Sequence, residues 1–184
     1  MHATEFQRIG KRLFAEHLIG GNFGNISVRD TCEGRDGFYI KSTGAFLDDF
    51  VEPVFVPLEG NVPPEASSEY RVHKAVYKTT TFSAIVHAHP PHAVAASFVF
   101  DAVEPKDSEA VMFCPRIPVV TGTPGSQEIA DNVAHALKQA KVTIVRGHGT
   151  FAAGKNLEEA FIFTSLAEYS CKVLLLKEQY EKIQ

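Results

Sequence analysis

Apolar positions change their period several times along the chain, and each change marks an element. Phe6, Ile9, Leu13 and Phe14 recur at helical spacing with charges between them, so MHATEFQRIGKRLFAEHLIG is predicted to be a helix with one packed face. The glycine-rich GGNFGNISVRD then turns into a short strand, with DGFYIKSTG as its hairpin partner and a further strand near VEPVFVPL. After the proline-bounded loop EGNVPPEASSE, Val72, Ala75 and Val76 are spaced for a helix, behind Ser67 and Ser68 as caps. FSAIVHAH is a β-rich run that stops at Pro90 and Pro91, and those prolines open a helix through HAVAASFVF. From Asp101 to Arg116 no period is visible, which predicts a loop with a strand near RIPVV. Thr123 and Pro124 mark the start of a helix carrying Ile129, Val133 and Leu137 on one face. KVTIVRGHGTFAAG reads as strand, tight Gly-His-Gly turn, strand, and Asn156 with Glu159 forms a capping-box signature for a last helix to about residue 180.

Hairpin-connected strands with helices recurring between them predict one α/β domain over residues 1–184, a mixed, mostly antiparallel sheet covered by helices. With 184 residues, 45% hydrophobic and 22% charged, the chain can enclose one sizeable core, which removes disordered and fibrous classes from consideration. A net charge of −4 without runs of Lys or Arg argues against a nucleic-acid partner, while a small anionic ligand bound by backbone N–H groups stays compatible. No apolar window reaches the length of a membrane span. Cys32, Cys114 and Cys171 are odd in number and far apart, so they read as buried free thiols in a reducing cytoplasm.

Polar residues inside this pattern carry the candidate chemistry. His87 and His89 lie two apart in a predicted strand, on one face, with Cα atoms about 6.6 Å apart. Two imidazoles at that separation can converge on one ion, whereas two buried without a shared partner leave ring nitrogens unsatisfied. A catalytic site commonly uses three protein ligands. His148, flanked by Gly147 and Gly149 where the backbone can pass close to a site, is the third candidate. His92 lies past two prolines and reads as a supporting or helix-capping residue; His2, His17, His73 and His135 read as unrelated to metal. Glu69 admits two readings, an acidic group favoured by the dipole of its helix or a functional carboxylate. Asn25, Ser42, Thr43, Gly44, Ser67 and Ser68 are each explicable as turn or cap residues, and together they could form a nest of donors for a phosphate. GGNFGN fits neither nucleotide-binding glycine motif and leads into a strand, which argues against a dinucleotide or ATP site.

In order, GNISVR, STG, SSE followed by His, AIVHAHPPHA and RGHGTFAAG span about residues 20 to 165, and this ordered set resembles the class II aldolase and adducin family, particularly its fuculose-1-phosphate aldolase branch. The resemblance implies a three-layer α/β/α fold and one zinc, or another divalent ion, per subunit on His87, His89 and His148. It implies Glu69 as acid/base and a phosphate cradle from Asn25, Thr43, Gly44, Ser67 and Ser68. The implied reaction is reversible retro-aldol cleavage of a ketose 1-phosphate of the L-fuculose type to dihydroxyacetone phosphate and an aldehyde, without a Schiff-base lysine. Relatives of the epimerase branch carry Asp at the Glu69 position, so Glu69 favours cleavage or the dehydration of a methylthioribulose 1-phosphate. Adducin-like, non-catalytic relatives lack the zinc histidines, and this chain retains all three. The family further implies a homo-oligomer, a tetramer with sites at subunit interfaces, and no membrane partner. Its aldolases also use a tyrosine near the site and a mobile C-terminal tail. Residues 101 to 116 hold no tyrosine and the chain stops soon after the last helix, which leaves the second acid unassigned and Tyr180 a distant candidate.

Overall fold

In the computed structural model, which describes residues 2–182, eight strands form one sheet in the order β3-β2-β1-β4-β8-β7-β6-β5. The elements are α1 (His2–Ala15), β1 (Asn25–Cys32), β2 (Arg35–Ile40), β3 (Val54–Pro57), α2 (Tyr70–Thr79), β4 (Ala84–Ala88), α3 (Pro91–Ser97), β5 (Ala102–Val103), α4 (Ser108–Phe113), β6 (Ile117–Val120), α5 (Gln127–Ala136), β7 (Val142–Val145), β8 (Gly149–Gly154) and α6 (Leu157–Glu181). The two ends of the expected 1–184 domain lie outside the described residues. Every strand pair is antiparallel except β6 with β7, and of these pairs β1 with β2 and β7 with β8 are joined by tight turns. Among the described residues no helix is long and apolar enough to cross a membrane.

Strand alternation divides the core between the two faces of this sheet. Phe38, Ile40, Ile85, Phe151 and Ala153 point to one face and pack against Val72, Val76 and Tyr77 of α2 and Ile129 and Val133 of α5. Ile26, Ala84, Val86 and Ala88 point to the other and meet Phe6, Ile9 and Leu13 of α1 and Leu157 and Phe161 of α6. Farther along that second face, Val142, Ile144 and Ala152 pack with Ala93 and Ala96 of α3 and Phe163, Ala167 and Leu174 of α6. The result is three layers, helix on sheet on helix, with the sheet enclosed on both sides.

Several local expectations need correction. The stretch expected to be loop between 101 and 116 holds α4, whose first turn is capped by the Asp107 carboxylate accepting from the Ala110 N–H at 3.1 Å. Only Ala110 of this helix is buried, while Val111, Met112 and Phe113 are exposed, so no packed face writes a period into the sequence. Ser67 and Ser68 do not cap α2: the cap position belongs to Glu69, and its side chain makes no capping bond. Helix α5 starts after Ser126, which accepts from the Ile129 N–H, because Gly122 and Gly125 take positive φ values of 152° and 75° and turn the chain at Thr123 and Pro124. Asn156 does cap α6 by accepting from the Glu159 N–H at 2.8 Å. Cys114 and Cys171 are buried free thiols, and Cys32 is half-buried.

Candidate metal centre

Strand register sets the first two corners of the site. β4 lies between β1 and β8, pairing His87 with Asn25 on one side and with Phe151 on the other. Those three side chains therefore stand in a row on the face covered by α2 and α5. The Phe151 ring stacks on the His87 imidazole at 4.1 Å and 12°. His87 Nδ1 lies 2.9 Å from the Thr150 carbonyl, which can only accept, so Nδ1 carries the proton and Nε2 presents a lone pair. His89 follows the end of β4, and its Nε2 faces that lone pair at 3.0 Å.

The third corner comes from the β7–β8 turn. His148 sits between Gly147, at φ +69°, and Gly149, where an added Cβ would stand 2.2 Å from the Ala88 carbonyl oxygen. Only a glycine lets β8 approach the end of β4 this closely, and that approach brings the His148 ring to 4.8 Å from His87 and 5.1 Å from His89. Gly149→Ala is thus expected to cost about 1–3 kcal/mol of stability in a denaturant titration and to weaken metal binding as well, since the neighbouring backbone has to move.

These three residues can hold a metal ion, and their ligand atoms lie within 4.8 Å of one another. Burial, then the neighbouring His89 and His148, push the His87 imidazole well below its ordinary value; burial and then His148 bring His89 down to about 4; burial lowers His148. All three are neutral at neutral pH, the state that ligates. His148 Nδ1 is buried with no partner among the described residues, an orphan that a cation would satisfy. The donor set suits zinc and other divalent ions that accept imidazole.

The remaining sequence candidates surround the same centre. Glu69, Asn25, Thr43, Gly44, Ser67 and Ser68 join the three histidines in lining one cleft of ≈ 200 Å³. Glu69 is 7% exposed, and one carboxylate oxygen is buried without a partner. Burial raises its pKa, and the Gly125 N–H acts in the opposite sense. The Asn25 amide oxygen is likewise buried and unpartnered. An isolated bridge between Ser42 and Ala66 holds the two loops together, with the Thr43 N–H donating to Glu65 O and the Ser67 N–H to Lys41 O. Those two amides are occupied, and the Thr43 hydroxyl donates to the Ala66 carbonyl at 2.8 Å, so of this pair it is Ser67 that offers a ligand a side-chain hydroxyl.

Sequence reasoning missed Lys41, which also lines the cleft together with Asn22, Phe23 and Gly24. The Lys41 ammonium is buried, donates to the carbonyls of Asn22 at 2.5 Å and Ala45 at 2.9 Å, and has its pKa pushed down to about 8 by burial. Its signal was faint: a lysine directly before the STG turn, just past the end of β2 where no strand period applies. Phe23 covers the opposite wall by stacking on His89 at 5.9 Å. His92 lies outside the cluster, where its ring and the His92 and Ala93 amides bond to the Glu168 carboxylate. The capping residue there is Glu168, and His92 is its partner. Tyr180 is exposed on α6 and does not line the cleft.

A mixed sheet enclosed by helices, with three convergent histidines and a buried carboxylate in one polar cleft, defines an α/β protein whose cleft could hold a metal ion. Residues 4–175 match the Class II Aldolase and Adducin N-terminal domain, and the chain belongs to that family. A Methanococcus maripaludis protein named L-fuculose phosphate aldolase is 30% identical over 173 residues, which cover 91% of this chain and 93% of that protein. The Escherichia coli protein of the same name is 34% identical over 153 residues, 78% of this chain and 68% of its own length. The solved L-fuculose-1-phosphate aldolase from Thermus thermophilus superimposes with a TM-score of 0.92 at 35% identity, over 98% of this chain and 96% of that one.

Proposed function

We propose that this protein is a zinc-dependent aldehyde-lyase that cleaves a phosphorylated ketose of the L-fuculose 1-phosphate type to dihydroxyacetone phosphate and an aldehyde. The observation that carries the reading is the Glu69 carboxylate, buried with one oxygen unpartnered among the described residues, in the same cleft as three neutral imidazoles that face one another. His87, His89 and His148 would hold the ion. When bound, a divalent ion there supplies Lewis-acid polarisation of the substrate carbonyl and offsets the negative charge that cleavage leaves behind. Glu69, its basicity raised by burial, takes up and returns the proton at the carbon that loses its aldehyde fragment. Asn25, Gly44 and the Ser67 and Ser68 hydroxyls bind the phosphate, Thr43 joins them once its hydroxyl turns from the Ala66 carbonyl, and Lys41 contributes the one ammonium N–H not bonded to Asn22 or Ala45.

The reading is tested by assaying zinc-loaded protein on a panel of ketose 1-phosphates and following carbon-bound proton exchange in dihydroxyacetone phosphate. Two fragments and exchange are expected. Water loss with an intact carbon skeleton would replace the aldolase by a dehydratase, and neither reaction would sink the lyase reading. The reading includes a homotetramer, supported by the exposed apolar Phe98, Val99, Val111, Met112 and Phe113; light scattering at four times the 20.2 kDa chain mass is the expected result.

Lys41 adds a pH signature. Its ammonium is charged below about 8 and neutral above, so KM for a ketose 1-phosphate should rise as pH passes from 7 to 9. Lys41→Met is expected to raise KM about tenfold or more and to remove that dependence. Folding is linked with the opposite sign. Between about 8 and the ordinary 10.5 the unfolded chain holds a proton that the folded chain has released, so Lys41 adds stability as pH rises through that window.

A further inference from the structure

His73 has no part in the chemistry proposed above, yet it is fully buried and neutral, its pKa brought down to about 3 by burial. Its Nδ1 lies 2.6 Å from the Ser27 hydroxyl oxygen, and the Tyr77 hydroxyl meets the same oxygen at 2.7 Å. Ser27 is also fully buried. The Arg29 guanidinium covers the Tyr77 ring at 5.1 Å and donates to the Tyr77 carbonyl. One oxygen of β1 is thus gripped by two side chains of α2 that are one turn apart.

Spacing turns this grip into a statement about the site. Glu69, His73 and Tyr77 recur every four residues and form one stripe along α2 and its cap position. Asn25 and Ser27 are two apart on β1 and share a face. The bond from Ser27 to His73 therefore ties the stripe that begins at Glu69 to the strand that begins at Asn25. Phe151 extends the link, meeting His73 edge-on at 6.1 Å while it stacks on His87. Glu69 and Asn25 each keep a buried oxygen with no partner among the described residues, and no bond joins the two side chains, so their separation is set by the elements that bear them and, for Glu69, by the Gly125 N–H. The polar trio also carries a cost, because His73 Nε2 is buried without a partner and an apolar trio would leave no such orphan.

We propose that His73 and Ser27, assisted by Tyr77, are positioning residues that fix the Glu69 carboxyl against Asn25 and the three-histidine centre. The catalytic meaning of this placement rests on the function proposed above. In the metal-loaded protein, Ser27→Ala and His73→Leu are expected to lower kcat about 10- to 100-fold, with KM changed less than about threefold and metal content unchanged. His73→Asn keeps a polar atom at the reach of Nδ1 and should recover kcat to within a few-fold; His73→Gln carries its polar atoms one bond too far and should not. Full kcat in Ser27→Ala and His73→Leu, a loss that follows metal loss, or His73→Asn no better than His73→Leu would overturn the proposal. If the wild-type protein turns over no ketose phosphate, the functional reading fails by itself, and amide exchange decides the positioning separately. The Val72 amide, bonded to the Glu69 carbonyl at 3.0 Å, should exchange faster in Ser27→Ala and His73→Leu but not in His73→Asn, and unchanged exchange at Val72 would overturn the proposal.

Discussion

Glu69→Gln is expected to lower turnover of a ketose 1-phosphate by about 10²- to 10⁴-fold, the usual contribution of a positioned acid/base, while bound metal stays at the wild-type level. The substitution preserves shape, and its amide oxygen can still accept from the Gly125 N–H that approaches the wild-type carboxylate. What it removes is a group able to accept a proton and give it back. It also removes a charge that is 7% exposed and has an unpartnered oxygen, so thermal stability should hold or rise as activity falls. A simple packing role for Glu69 would give the reverse pairing, lower stability with retained turnover. Full turnover by the variant would assign the cleft to binding without acid/base catalysis, as in an adducin-type module.

His148→Ala should separate the ligand set from the rest of the histidines. The wild-type cluster offers three neutral imidazoles, and removing His148 leaves two, both on or just after β4. Loss of a ligand has to exceed the roughly 10- to 100-fold loss of affinity typical when only a supporting hydrogen bond is removed. Metal analysis after dialysis against a chelator should therefore find the variant empty where the wild type is loaded. His92→Ala is the control. Its ring is bonded to Glu168 outside the cluster, so metal should stay bound and stability should change by less than about 1 kcal/mol. Full metal in His148→Ala, or an empty His92→Ala, would reassign the third corner to His92.

How much of this was legible depends on whether a residue's role is set by its neighbours in sequence or by those across the sheet. The Gly-His-Gly turn is local: a strand must reverse within a few residues there, and glycines permit it, so His148 could be placed at a turn from sequence alone. The α6 cap was legible for the same reason, because Asn156 and Glu159 meet within one turn. Ser67 and Ser68 misled because their local pattern imitates a cap, while the ladder between the Lys41 and Ser67 segments turns them toward the cleft. Helix α4 was invisible because its apolar side chains face outward.

By itself the sequence determined the alternation of elements, the pairing of His87 with His89 on one face, and the motifs that resemble the class II aldolase and adducin family. Those properties follow from periods of two or of 3.6 residues and from turn chemistry, which act over a few positions. The tertiary structure decided that Asn25, His87 and Phe151 form one row, that Lys41 reaches the cleft, and that Glu69 is buried with an oxygen unpartnered. Strand register and helix packing bring residues as far apart in the chain as Asn25 and His148 into the same cleft, and no local period encodes a proximity of that kind.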